Sequence, residues 1–294
     1  MVLRVLENIM NKIKELTRNL SKRSNELLYF SYKLSPVTQD IIQVILSQIT
    51  DEDTSLNRYT ISVLELEKKI GKQIKNSMFD NIIKELFQPS FQLKNEEGRT
   101  VDYSWCSEFT RPSEDRTITV EIHKILNSYL LKLKERRIPF TIIDTKYFVK
   151  LKSSYSKRLY PIFRNKMDIA RLQKKSAAYY NEDKSKFLKI LGTPKSLERY
   201  VNLKNRVLLI AVKEISEFTD LDIELIEEKR GNKVIDFGFI IREKKEVQVE
   251  KLKKELIKKT KSANSTNYGD HKSGVDAVGT WLEEANIIET EIVS

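Results

Sequence analysis

Residues 201–241 read VNLKNRVLLIAVKEISEFTDLDIELIEEKRGNKVIDFGFII, and this stretch decides the fold. On a wheel of about 100° per residue, Leu203, Val207, Ile210, Ala211, Ile215 and Phe218 cluster on one face. Asn205, Arg206, Lys213 and Ser216 fall opposite, with Lys204 on the shoulder. The spacing predicts a long amphipathic helix around 200–218. Behind it, 222–227 and 234–241 are strand-like, and the turn 228–233 contains Gly231, so a β-hairpin follows.

Working upstream, 184–190 reads as a short helix, a turn follows at Gly192-Thr193-Pro194, and 154–167 reads as a helix. The first half has the same outline. Residues 25–34 and 37–49 are helical by pattern, separated by Ser35-Pro36. Residues 58–61 suggest a short strand. Ser62 and Glu65 have capping-box spacing ahead of a helix over 63–70, which Gly71 ends. A helix over 74–87 stops before Pro89, and short helix, turn, longer helix is the outline of a helix-turn-helix. Strands are expected over 91–94, 101–109 and 117–122, then a helix over 125–133 and a strand-like run over 140–149.

The fold class read from this order is α+β, with two tandem winged-helix domains. The expected domains are an N-terminal helical arm (1–23), a first winged helix (24–149), a second (150–242) and a tail (243–294). The arm is an amphipathic helix over 1–20. The tail opens as a charged helical run to residue 261 and continues as disordered chain, with Trp281-Leu282 and Ile287-Ile288 as a short apolar patch.

The chain has 294 residues and a net charge of +11. A basic excess of this size points to an anionic partner. Its distribution is uneven. Residues 150–206 hold 16 Lys/Arg against 4 Asp/Glu, a net of +12, so this stretch exceeds the whole chain's surplus. Charge focused on part of one domain reads as a docking surface. One cysteine, Cys106, excludes an internal disulfide framework and fits a reducing cytoplasm. Two histidines are too few and too distant for a His-based metal site, and no cofactor is expected. No apolar run approaches the roughly 18 residues of a membrane span.

Nucleic acid needs cations and amides toward phosphates, and Arg, Lys or Asn toward base edges. The long helix offers Lys204, Asn205, Arg206 and Lys213. The hairpin tip offers Lys229, Arg230 and Lys233. The stretch 151–160, LKSSYSKRLY, offers Lys152, Ser154, Tyr155, Lys157 and Arg158 around a helix start whose free N–H groups suit a phosphate. In the first half, Lys72, Lys75, Asn76 and Ser77 open the 74–87 helix and Lys84 lies on it. Residues 1–149 carry only +3, which suits a dimer contact better than the main grip.

These stretches carry a family resemblance. Phe140-Thr141 with 151–160 resembles the FT…LKSxYSxRLYELL pattern of the winged-helix replication initiators of iteron-containing bacterial plasmids. Residues 203–208, 211–215 and 218–220 resemble that family's FkrrVL…Av.EIN..TD, and 229–233 its K.GRK wing. Asn205 and Asn232 stand where the family often has Arg, and Pro161 where it has Glu. The resemblance spans about 24–242. It implies a DNA-binding initiator that acts without catalysis. Its monomers bind direct repeats (iterons) at a plasmid origin and open the duplex. Its partners are host replication proteins such as a helicase or initiator, and itself, as a dimer through the first domain that represses its own promoter at an inverted repeat.

Other classes compete. A nicking Rep protein needs a His pair on a metal and a Tyr nucleophile, and the chain has no His-x-His. A P-loop ATPase needs G-x-x-x-x-G-K-[ST], which is absent too. A winged-helix transcription regulator needs the same surface as an initiator, so the residues alone leave that alternative open.

Overall fold

The computed structural model describes residues 19–244, apart from 57, 95, 96, 113, 115 and 232. The expected helical arm, charged helical run and tail lie outside the described residues except at their edges, and Asn232 lies outside them too.

The chain enters as β1 (Leu20–Ser24) and a 3-10 turn, Leu27–Tyr29. The helix expected over 25–34 does not form. Leu27 packs in one core and the adjacent Leu28 in the other, and the chain is extended again at Phe30, whose carbonyl is taken by Arg158. Ser24 Oγ accepts from the Leu27 amide at 3.3 Å. Helix α1 (Pro36–Leu46) follows, capped by Ser35 and started by Pro36. Every residue from Val37 to Leu46 is buried, so α1 runs through the interior.

The first winged helix then runs β2 (Arg58–Ser62), α2 (Val63–Ile70), a 3-10 turn (Asn76–Met78), α3 (Phe79–Phe87), β3 (Phe91–Lys94), β4 (Thr100–Tyr103), β5 (Cys106–Thr110) and β6 (Thr117–Ile122). The expected capping box is not made, since Ser62 forms no side-chain cap bond. Ser62 is instead the last strand residue, opposite Thr117, and the Val63 amide donates to the Arg116 carbonyl at 2.8 Å. The strand expected over 101–109 is two strands. Between them the Trp105 amide bonds the Leu86 carbonyl, and the indole is buried at the centre of the first core.

A 3-10 turn (Lys124–Leu126) and the short α4 (Asn127–Leu130) replace the longer helix expected over 125–133. β7 (Phe140–Asp144) pairs antiparallel with β1, and α5 (Thr145–Phe148) starts where the Asp144 carboxylate accepts from the Lys146 amide. The strand-like run therefore stops at Asp144.

The second winged helix is α6 (Ser154–Leu172), β8 (Ala177–Asn181), α7 (Lys184–Ile190), then α8 (Tyr200–Leu203), a π turn (Lys204–Leu208) and α9 (Leu209–Phe218) as one continuous helical run. β9 (Leu221–Arg230) and β10 (Lys233–Glu243) close it. The sequence reading did not anticipate β8. The strand alternates Ala178 and Tyr180 inward and pairs with β10, Tyr180 opposite Phe239.

The two halves share one topology. The first sheet has the order β2-β6-β5 and the second β8-β10-β9, with helices in matching places; β3-β4 is an added hairpin. Each half has its own core. Residues on both sides of Lys150 join the second core, among them Leu28, Ile143, Phe148 and Leu151.

Candidate nucleic-acid interface

The helix α8–α9 buries Leu203, Val207, Leu208, Ala211 and Ile215 against its sheet and α6. The π turn sets this face. It winds less per residue than an α-helix, so the side chains beyond it lag the α-helical phase. Leu208 goes inside. Ile210, expected in the core, turns outward at 40% exposure, beside Leu209 at 43%. Asn205, Arg206 and Lys213 are exposed, as expected. Val201, 68% exposed, lies on this side near the helix start.

Lys204 is not free for a phosphate. Its Nζ lies 2.7 Å from Glu227 Oε1 on β9. The Tyr200 hydroxyl donates to the same oxygen at 2.5 Å, and Lys229 stands 3.7 Å from the other. The Lys204 hydrogen bond, with that from Tyr200, holds the Glu227 carboxyl below its ordinary range. This cluster, which the sequence reading missed, ties the helix start to the hairpin. Nothing local signals its link between helix and hairpin, because Tyr200 and Lys204 lie more than twenty residues from Glu227.

At the hairpin tip, Lys229, Arg230, Gly231 and Lys233 are exposed. Gly231 has φ +62°, the left-handed conformation the turn needs.

The start of α6 differs from expectation. The Lys152 and Ser153 amides both donate to Glu214 Oε2 at 3.0 Å, and the Tyr155 amide to Ser153 Oγ at 3.2 Å. A carboxylate from α9 thus already takes amides meant for a phosphate. Lys152 is exposed. Ser154 and Tyr155 are half-buried and line a cleft of about 460 Å³ between the two winged helices, which Lys84 also lines.

Lys157 and Arg158 require a correction, since neither reaches the surface. The Lys157 ammonium is fully enclosed, 2.5 Å from Asp40 Oδ1 on α1 and 2.9 Å from the Phe148 carbonyl. Arg158 Nη2 donates to the carbonyls of Phe30 at 2.5 Å and Ile190 at 3.0 Å, with its guanidinium 3.6 Å from the Tyr32 ring centre. Both side chains join the two halves. Arg164 also turns inward, onto Asp168 and Asp220. Three cations of the +12 stretch therefore serve the interior.

In the first winged helix, Lys72, Lys75, Asn76 and Ser77 are exposed around the 3-10 turn before α3, and Lys84 is exposed on α3. They occupy the topological counterpart of the α8 region. Nearby Glu67 accepts from the Ile74 amide and pairs with Arg116 at 3.3 Å. Among the described residues no cluster of His, Cys, Asp and Glu could hold a metal, and no helix is long and apolar enough to cross a membrane.

Comparison with known proteins gives a consistent picture. Residues 20–164 match the family described as "Initiator Replication protein, WH1", and 183–241 match "Initiator Rep protein, WH2". Among solved structures, the chain resembles the Pi initiator protein, crystallised in complex with iteron DNA, at 15% identity and a TM-score of 0.63. That match covers 78% of this chain and 99% of that one. Domains 2 and 3 of RctB align at 12% identity and a TM-score of 0.42, over 70% of this chain and 80% of that one, too slight a likeness to bear on the fold. No curated protein sequence matches.

Proposed function

This chain belongs to the initiator Rep protein family, and from that premise we propose that it binds the direct repeats of a plasmid origin and initiates replication there. The observation that carries the reading is the outward face of α8–α9. It sets Asn205, Arg206 and Lys213 beside a basic hairpin tip, in the part of the chain matching WH2. A helix with one buried face and one polar face is what a major groove admits, and a flanking hairpin meets the backbone. The Pi initiator protein, similar in fold, was crystallised on iteron DNA, which supports the same partner here.

In this reading the second winged helix (150–242) makes the main grip. Lys72, Lys75 and Asn76 of the first (24–149) add an auxiliary contact. The monomer binds iterons in the cytoplasm and promotes opening of the duplex, while host replication proteins such as a helicase or initiator are recruited. A dimer formed through the first winged helix represses the protein's own promoter at an inverted repeat. The protein acts by binding, without catalysis of its own.

A transcription regulator without an origin role would use the same face, so the arrangement of sites decides between the two. Footprinting on the DNA beside the gene should show several protected direct repeats. Protection of a single inverted repeat at the promoter, and nothing else, would reject the initiator reading in favour of the regulator.

A further inference from the structure

The π turn leaves an apolar strip on the face just assigned to DNA. Leu209 and Ile210 stand out from the helix at 43% and 40% exposure, and Val201 at 68%. They are interleaved with Asn205, Arg206 and Lys213, also exposed. The π turn adds to the oddity. An unbroken α-helix would put Ile210 toward the core, and here Leu208 takes the inward place instead.

We propose that Val201, Leu209 and Ile210 form a methyl-reading strip that packs against thymine C5-methyl groups in the major groove. This rests on the DNA-binding reading above and adds a base preference to it. The major-groove edge of a base pair presents hydrogen-bonding groups and one apolar group, the thymine methyl. Aliphatic side chains among cations and an amide fit such an edge. Arg206 and Lys213 outnumber the one exposed carboxylate on this helix, Glu217, so the strip keeps a net positive surround for a polyanion. The side chains cannot donate or accept, so their share of recognition is shape and desolvation alone. The worth of one buried methyl is about fourfold in Kd.

The test uses the full chain and a duplex carrying one footprinted repeat. Each thymine is replaced in turn by deoxyuridine, which keeps the pairing edge and removes only the methyl. Two or three positions should weaken binding by about fourfold each. Leu209→Ala, Ile210→Ala and Val201→Ala, all at exposed positions, should each abolish the effect at one matching thymine, so that methyl and side-chain losses are not additive. Uracil at every position binding within twofold of thymine would overturn the inference while leaving the DNA-binding reading intact. Methyl losses unchanged in all three variants would overturn it too. A protein partner on this strip would leave uracil substitution silent and so falls under the first outcome. Failure to bind any repeat would overturn both readings together.

Discussion

The Lys157 ammonium sits 2.5 Å from the Asp40 carboxylate and 4.8 Å from the centre of the Phe148 ring. Burial pushes the Asp40 carboxyl up, to about 7, against the opposing pull of Lys157; burial likewise lowers Lys157. A carboxyl whose folded pKa lies above its unfolded one holds its proton more tightly when folded. Its contribution is full below about pH 4 and lost as pH rises through 7. Removing Lys157 raises Asp40 further and carries that loss on to higher pH. Lys157→Met should therefore cost more stability at about pH 8 than at about pH 5, on the order of 3–5 kcal/mol at the higher pH. Adding Asp40→Asn should flatten the difference. Urea melts at the two pH values check this, and an equal loss at both would contradict it. Lys157 and Arg158 also show why site residues are hard to read from a motif. Their neighbours Lys152 and Ser154 looked the same in sequence, yet α6 is buried on every side from Ser156 to Asn165, so Lys157 meets Asp40 of α1 while Arg158 meets the carbonyls of Phe30 and Ile190.

At the scale of elements, the chain's strongest patterns were legible. The α1 face, β2, α2, α7 and the closing hairpin all follow from periodicity and turn residues. The π turn was not legible, because a wheel of fixed period has no place for it. β8 was missed because Ala177 and Ala178 are weak strand formers and no run of β-branched residues marks the segment. The polar links between elements were also hidden, and the one joining α8 to β9 has a measurable consequence. Glu227 neutralises Lys204 beside the proposed DNA face. Glu227→Gln should free that cation, tighten binding to random duplex and steepen the slope of log K against log salt by about 0.9. A salt titration reads the slope, and an unchanged slope would mean Lys204 never reaches a phosphate.

Across the whole molecule, one topology appears twice, and the duplication was visible as element order without any repeat of residues. The halves differ in charge and in what the charge does. The positive stretch 150–206 holds both the seam and part of the proposed DNA face, so the total excess overstated the outward share. On α8–α9 the exposed side chains are Asn205, Arg206 and Lys213, the apolar Val201, Leu209 and Ile210, and one carboxylate, Glu217. Whether this face reads DNA is decided by Arg206→Ala. Titrated against a footprinted repeat and a scrambled duplex, the variant should lose about 1–3 kcal/mol on the repeat and much less on the scrambled DNA. Equal losses on both would move Arg206 from a base to a phosphate. Affinity for the repeat unchanged from the native chain would contradict the assignment of this face to DNA.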